Sequence, residues 1–489
     1  MTSIGEQAFA FSSLTSISIP DTVTNMGDGA FFCCTSLTNA AIGDGVTTIG
    51  MSVFSVTALT SVIIPDSVAS IGENAFDDVS LTNVTIGTNV SNIGVDAFGE
   101  CPGLTSVTIP DRVTNIGDGA FMYCTGLTSI LIPASITTIG EGAFVDCYSL
   151  TNATIPNGIT CITDFMFGFT GLSSISFPAS VTNIGYSAFW YCTNLASVTI
   201  PGSIACIGDL AFYNCASLTN VTISEGVTSI GIFSFADSAL PNVAIPSTIT
   251  NIRSDAFCQC SDLTAITVDP QNAFYSSING VLFDKSRSTL LEYPDGLVGN
   301  YTVPAGVSSI ESNAFEYCSD LTEINLSQSV ASIGDWAFAF SSVTSITIPE
   351  SVTNIGDWAF ANSGLTAVYF TGNAPDADSS VFASENNVTA YYLPGTTGWE
   401  EFSANTGLPT VLWNPMIQPG DGNFGVQNDQ FGFDITGTAN IPIVIEACAN
   451  LASPVWVPLQ TCTLTNGLVY FNEPLQTNTS GRYYRISSP

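Results

Sequence analysis

The chain has 489 residues, 45% of them apolar, and a mean hydropathy of +0.37, so there is ample material for a core. Its 41 acidic and 6 basic side chains leave a net charge of −35, and such a surface repels phosphate backbones, which speaks against nucleic acid as a partner. No histidine is present, so no histidine-based catalytic triad can form, and no apolar run reaches the roughly 18 residues that a membrane-spanning helix needs.

The first residues, Met1-Thr2-Ser3-Ile4-Gly5, enter a repeated pattern halfway and reach Ala8-Phe9 with no strand segment before them. A terminal repeat needs a polar cap, so this start reads as a truncated chain or a misplaced start codon. No basic stretch followed by an apolar one marks a signal peptide. From Leu14 onward a unit of 22 or 23 residues recurs. Its leading apolar position falls at Leu37, Leu59, Leu81, Leu104 and so on to Leu263, then at Val298, Leu321, Val343, Leu365 and, degenerately, Val388. A fixed period of this size means a solenoid, in which each unit buries its core only against its neighbours.

The copy from Leu104 to Gly126 shows how one repeat makes one coil. Leu104-x-x-Val107-x-Ile109 fits a leucine-rich-repeat strand, with Val107 and Ile109 facing inward and Ser106 and Thr108 outward. Pro110 ends that strand. Val113 and Ile116 bring the chain back as a second short extended segment, Gly117 allows a turn, and Ala120-Phe121 fill the interior. The expected fold is therefore a repeat solenoid of parallel β-strands, one per coil, with short return segments and turns.

Eight cysteines, Cys34, Cys101, Cys124, Cys147, Cys192, Cys215, Cys260 and Cys318, stand three residues after the core phenylalanine, in every coil where five residues separate that ring from the next leading position except the degenerate one after Phe382. The extra residue aims a small apolar side chain inward, and Cys fits there as a compact hydrophobe. Without Cys-x-x-Cys pairs or histidine a zinc site is a poor rival, and parallel Cβ vectors suit disulfides badly. Cys161 and Cys206 lie two coils apart. The residue after the Ile-Gly step is often acidic, as at Asp28, Glu73, Asp118, Glu141, Asp164, Asp209, Asp335 and Asp357. With no calcium loop of the Asp-x-Asp-x-Asp-Gly type, solvated turn acids are the simpler reading over a calcium ladder. Outward strand positions form a column of Ser and Asn (Ser16, Asn39, Ser61, Asn83, Ser106), explained by β-propensity and solubility.

Between Leu263 and Val298 the return half is replaced by an insertion, residues 271–297, in which Gly280 to Phe283 and Thr289 to Pro294 read as the arms of a β-hairpin. Phe274, Tyr275, Phe283 and Tyr293 come with Lys285 and Arg287, in a chain with few basic residues. Aromatics and Arg dominate binding hot spots, so these six are the candidate partner-binding residues. The competing view has the aromatics turned inward to cover the core. Residues from about 371 to 413 form a degenerate cap that closes the solenoid of residues 1–413. Asn414 to Gln427, rich in Pro and Gly, reads as a linker, and five strands within 428–489 as a small β-sandwich. Whether Cys448 and Cys462, flanking a hairpin of that module, form a disulfide is left open.

The recurring words, close to Leu-Thr-x-Ile-x-Ile-Pro-x-x-Val-Thr-x-Ile-Gly-x-x-Ala-Phe, resemble the BspA-type leucine-rich repeat of bacterial surface proteins over residues 2–413. The insertion resembles one common in that family. The ending, Ala449-Asn-Leu with Trp456 and Gly481-Arg-Tyr-Tyr-Arg485, looks like a C-terminal module of large bacterial exported proteins. The resemblance implies a surface-displayed or secreted, extracellular adhesion scaffold and does not imply an enzyme. The expected function is a non-catalytic scaffold engaging protein or glycan through its repeats, monomeric and with no cofactor or metal. The alternative is a passive spacer whose only specific contacts lie in the C-terminal module. An enzyme and an ice-binding surface are remote: no nucleophile elbow or phosphate-cradling loop is present, and leucine-rich strands usually line a curved face.

Overall fold

Alternation of side chains along Ser106–Thr108 buries Val107 and leaves Ser106 and Thr108 exposed, and the same alternation recurs coil after coil. The computed structural model describes residues 1–385, 387–475 and 481–488. Its strands stack in parallel and in register, with Ser106 opposite Ser129 and Ser129 opposite Asn152. The return segments make a second parallel column, with Asn92, Asn115 and Thr138 side by side. Packing divides the chain into two units, residues 1–286 with 294–296 and residues 287–293 with 297–489.

In the first unit the core phenylalanines form one stack from Phe9 to Phe257, with ring centroids 5.1 to 5.7 Å apart and planes nearly parallel. From Phe31 onward every ring in it is buried. Two residues flanking each ring take positive φ, as at Asp96 and Glu100 around Phe98. That conformation turns their N–H groups along the stack, where Asp96, Phe98 and Glu100 donate to Asp118, Ala120 and Met122 of the next coil. The glycine of the Ile-Gly step serves close approach: a Cβ on Gly117 would lie 2.5 Å from the backbone of Gly94 and Val95.

The eight ladder cysteines are buried, as the spacing required. Each thiol also donates to a carbonyl one coil earlier. Cys124 Sγ reaches Phe98 O at 3.1 Å, Cys147 reaches Phe121 O at 3.2 Å, and Cys215 reaches Phe189 O at 3.3 Å. Thr57 and Thr170 occupy the same position in shorter coils and bond their own coil's Phe54 and Phe167 carbonyls at 2.8 Å. The position thus wants a small donor, and hydrophobic fit was only half of the reason for cysteine. Burial pushes the Cys147 thiol up to about 12 and Cys192 up to about 11, so both stay protonated at neutral pH.

In the second unit Tyr293 takes the place of the core phenylalanine, packing tilted against Phe315 at 5.0 Å, and Phe315, Phe338, Phe360 and Phe382 continue the column. Strands Ser345–Ile348, Ala367–Phe370, Thr389–Tyr392 and Thr410–Leu412 pair in parallel. A helix that the sequence reading missed, Trp399–Thr406, lays Trp399 and Phe402 on Phe370 at 5.0 and 5.3 Å and closes the end of the core. Capping a solenoid in this way keeps its last apolar layer from water.

The expected linker is not one. Strands Met416–Gln418 and Gly425–Gln427 fall inside it, and both pair antiparallel with Gln430–Thr436. Trp413, Val411 and Tyr391 pack against the core of the terminal module, around Phe433, Ile443 and Ile445. Two antiparallel sheets enclose that core, one carrying Gln430–Thr436 and Leu468–Pro474, the other Pro442–Cys448, Val457–Thr463 and Tyr483–Ser487. Glycine and proline supplied tight turns here rather than slack. In the second sheet Cys462 lies opposite Ile443, five positions along the strand from Cys448. At about 3.4 Å per residue that separation rules out a disulfide.

Candidate functional site

The insertion tests the first candidates. Asn272 anchors its start: buried, it donates to the carbonyls of Pro246 and Ile249 at 2.9 Å and accepts from the backbone of Phe274 and Tyr275 at 2.8 Å. Tyr275–Ile278 and Val281–Asp284 then pair antiparallel about an Asn279-Gly280 turn, a hairpin that the Asn-Gly step could have announced. Phe283 is fully buried. The Tyr275 hydroxyl accepts from Ile252 N at 2.9 Å, and the Lys285 ammonium bonds the carbonyls of Pro270 and Asn272. Thr289–Glu292 pairs in parallel with Ser309–Ile310 in the second unit, where Tyr293 is buried in the ring column. Of the six candidates, only Phe274, 51% exposed, and Arg287 present a largely unengaged side chain to solvent. Phe283 and Tyr293 are core residues and cannot meet a partner.

The polar columns are stitched into the backbone. Thr38, Thr82, Thr105's neighbour Thr128 and Thr151 each donate their hydroxyl to the carbonyl of the equivalent residue one coil earlier, at 3.0 to 3.3 Å. In the acidic column Asp28, Asp118, Asp164 and Asp209 accept the N–H of Met51, Glu141, Tyr186 and Ile232 of the following coil, at 2.8 to 3.0 Å. These carboxylates already spend one oxygen on the fold, which explains why turn acids recur without invoking an ion.

One surface departs from this uniformity. On the turn that carries the core ring, some coils fill both positive-φ positions with residues that tolerate that backbone, as at Asn74 and Asp78 or Gly142 and Asp146, and others place a ring in one of them, as at Tyr123 and Phe233. Between residues 148 and 213 rings crowd this turn, three of them at positive-φ positions and others beside them. Phe165, Phe169 and Tyr191 adopt φ of 55° to 56°, at a cost of roughly 1–2 kcal/mol each. Phe169 packs on Trp190 and Tyr191, both at 4.9 Å, and reaches Tyr148 at 6.3 Å. Phe165 meets Tyr186 at 5.2 Å and Trp190 at 6.1 Å, while Tyr191 leads to Tyr213 at 5.8 Å. Tyr148 and Tyr186 are 55% and 43% exposed and the others lie half-buried, so the rings form one outward ridge across neighbouring coils. The same positions of the second unit repeat the device on a smaller scale, with Trp336 stacked on Trp358 at 5.2 Å and Tyr317 on Phe340 at 4.8 Å.

Carboxylates surround the first-unit ridge. Tyr148 donates to Asp146 at 2.7 Å, a bond that, with burial, pushes the phenol up to about 12. Burial and then Asp237 push Tyr213 up to about 12 as well. A few coils earlier on the same turn, burial and the charges of Glu100, Asp96 and Asp78 raise the Asp77 carboxyl to about 6. Asp96 is raised by burial, then by Glu73, Asp118 and Glu100. From residue 73 to residue 237 the only basic residue is Arg112, on the other turn of its coil. Sequence reading missed the ridge because it followed the recurring Ala-Phe pair. Aligning the coils on that pair and asking where aromatic residues near it crowd into successive coils would have found it.

The family description "BspA type Leucine rich repeat region (6 copies)" matches residues 1–103, 69–196, 188–298 and 293–400. No curated protein matches the chain. Among solved structures, a leucine-rich repeat protein from Bacteroides ovatus is 23% identical, covering 85% of this chain and 88% of its own, with a TM-score of 0.42. A leucine rich cell surface protein from Faecalibacterium prausnitzii is 26% identical over 75% of this chain and 82% of its own, also at 0.42. A leucine-rich repeat protein from Eubacterium ventriosum is 25% identical over 58% of this chain and 67% of its own, at 0.40.

Proposed function

The chain belongs to the BspA-type leucine-rich repeat family, and on that premise we propose that it is a non-catalytic scaffold at the cell surface or outside the cell, binding a protein or glycan through its repeat array. The supporting observation is the aromatic ridge from Tyr148 to Tyr213. Folding does not require those rings, since other coils complete the same turn with small or polar residues at the strained positions, as at Asn74 and Asp78, Asp96 and Glu100 or Gly142 and Asp146. Apolar surface held outward against local backbone preference is best explained by a partner that covers it. Within the insertion, Phe274 and Arg287 are the remaining positions for a secondary contact.

Immobilised full-length chain, probed with purified matrix glycoproteins and a defined set of glycans, tests the reading. Retention of at least one partner is expected, with loss when Tyr148, Tyr186 and Tyr191 are replaced together by Ser. Retention of none would favour the passive spacer. Protease treatment of intact cells that leaves the chain uncut would count against surface display.

A further inference from the structure

We infer that the aromatic ridge of the first unit is a docking surface for an arginine- or lysine-rich segment of a partner protein. The inference rests on the scaffold reading and names the chemistry of its partner. Three observations on the same turn converge. Rings lie at the surface, Tyr148 and Tyr186 being the most exposed of them. Carboxylates border them: Asp164 accepts from Tyr186 N, Asp237 lies beside Tyr213, Asp209 follows one coil on, and Asp146, itself buried, is bonded to the Tyr148 hydroxyl. No basic residue of this turn neutralises them from residue 73 to residue 237. A guanidinium or ammonium satisfies both parts at once, stacking on a ring within about 6 Å while pairing with a carboxylate.

The chain builds that arrangement elsewhere with its own cations. In the terminal module the Arg485 guanidinium sits 4.6 Å from the Trp456 ring centroid and donates to Glu446 Oε2 at 2.6 Å. On the ridge the ring and the carboxylate are present and the cation must come from outside. Anionic glycans would be repelled by the same field. A neutral glycan could stack on the rings but gains nothing from the bordering charge, which makes it the outcome to test against.

Calorimetric titration of the full chain uses three probes: nona-arginine, the same peptide with citrulline for arginine, and a neutral chito-oligosaccharide. Nona-arginine should bind the native chain. The combined Tyr148→Ser, Tyr186→Ser, Tyr191→Ser variant, whose charge is unchanged, should bind it at least tenfold more weakly. An Asp21→Asn, Asp44→Asn control, changed on the other turn, should lose less than twofold. Should the triple variant lose its cooperative melting transition, Tyr186→Ser alone supplies the reading, with a loss of about threefold. Equal binding by variant and native chain would reduce the attraction to diffuse charge and overturn the inference, as would citrulline peptide or oligosaccharide binding as tightly as nona-arginine. If nona-arginine fails while the triple variant still loses a glycoprotein or glycan partner, the cationic partner falls and the scaffold reading stands. If no partner binds the native chain, both fall.

Discussion

Within the first unit, the strand face and the turn face are made by the same coils, yet they treat sequence differently. On the strand face an outward Ser, Thr or Asn recurs at almost every step, and threonine hydroxyls beside it bond backbone carbonyls of the neighbouring coil. Every coil meets the same neighbour in the same register, so one solution suffices throughout. On the turn face the core ring and the small donor beside it obey the same rule, while the positive-φ positions between them vary from glycine to phenylalanine. What varies there is free of the fold's demands. The lesson is that uniform positions carry stability and variable ones carry whatever distinguishes this array from another.

The sharpest way to break that comparison is to attack the shared ring. Phe121→Ala should cost about 3–5 kcal/mol in denaturant unfolding of the array, with the same loss for Phe144→Ala, because both rings stack on both sides. Sharply different costs would show that the coils are not equivalent. A smaller effect isolates the thiol. Cys124→Ala should cost roughly 2 kcal/mol, combining lost packing with an orphaned Phe98 carbonyl. Cys124→Ser keeps a donor and should cost distinctly less. If serine proves as damaging as alanine, the thiol acts by packing alone.

The smallest effect concerns pH. Asp77, raised to about 6, and Asp96, also raised, hold protons more readily folded than unfolded, where an ordinary carboxyl near 3.8 applies. The fold therefore gains stability as pH falls from 7 through about 6 toward 4. Asp66 and Glu225, lowered by hydrogen bonds from Thr88 and Ser247, act oppositely and only below their ordinary range. A slightly higher Tm at pH 5.5 than at pH 7 is expected, with a smaller gain in Asp77→Asn. A lower Tm at pH 5.5 would show that these turn carboxylates are not in conflict.

Much of this was legible in the chain alone. The period, the inward Val107 and Ile109, the return strand at Ile116, the ring column and the buried cysteines all follow from local rules, because in a solenoid each contact recurs at a constant spacing and a single coil states it. The insertion was harder: its residue types matched a binding loop, but burial decided that Phe283 and Tyr293 serve the core, and hydrogen bonding drew in Tyr275 and Lys285. The segment after Trp413 misled because Pro and Gly make both slack linkers and tight turns, and only pairing with Gln430–Thr436 distinguishes them.

Sequence by itself determined the architecture of this protein, since periodicity is a one-dimensional property and the solenoid is its direct expression. Tertiary structure decided which outward residues meet. Tyr148, Phe169, Tyr191 and Tyr213 stand in four different coils, more than 60 positions from first to last, and become one surface only when parallel stacking sets equivalent turns side by side. That juxtaposition depends on register between coils, and no spacing within a single coil encodes it.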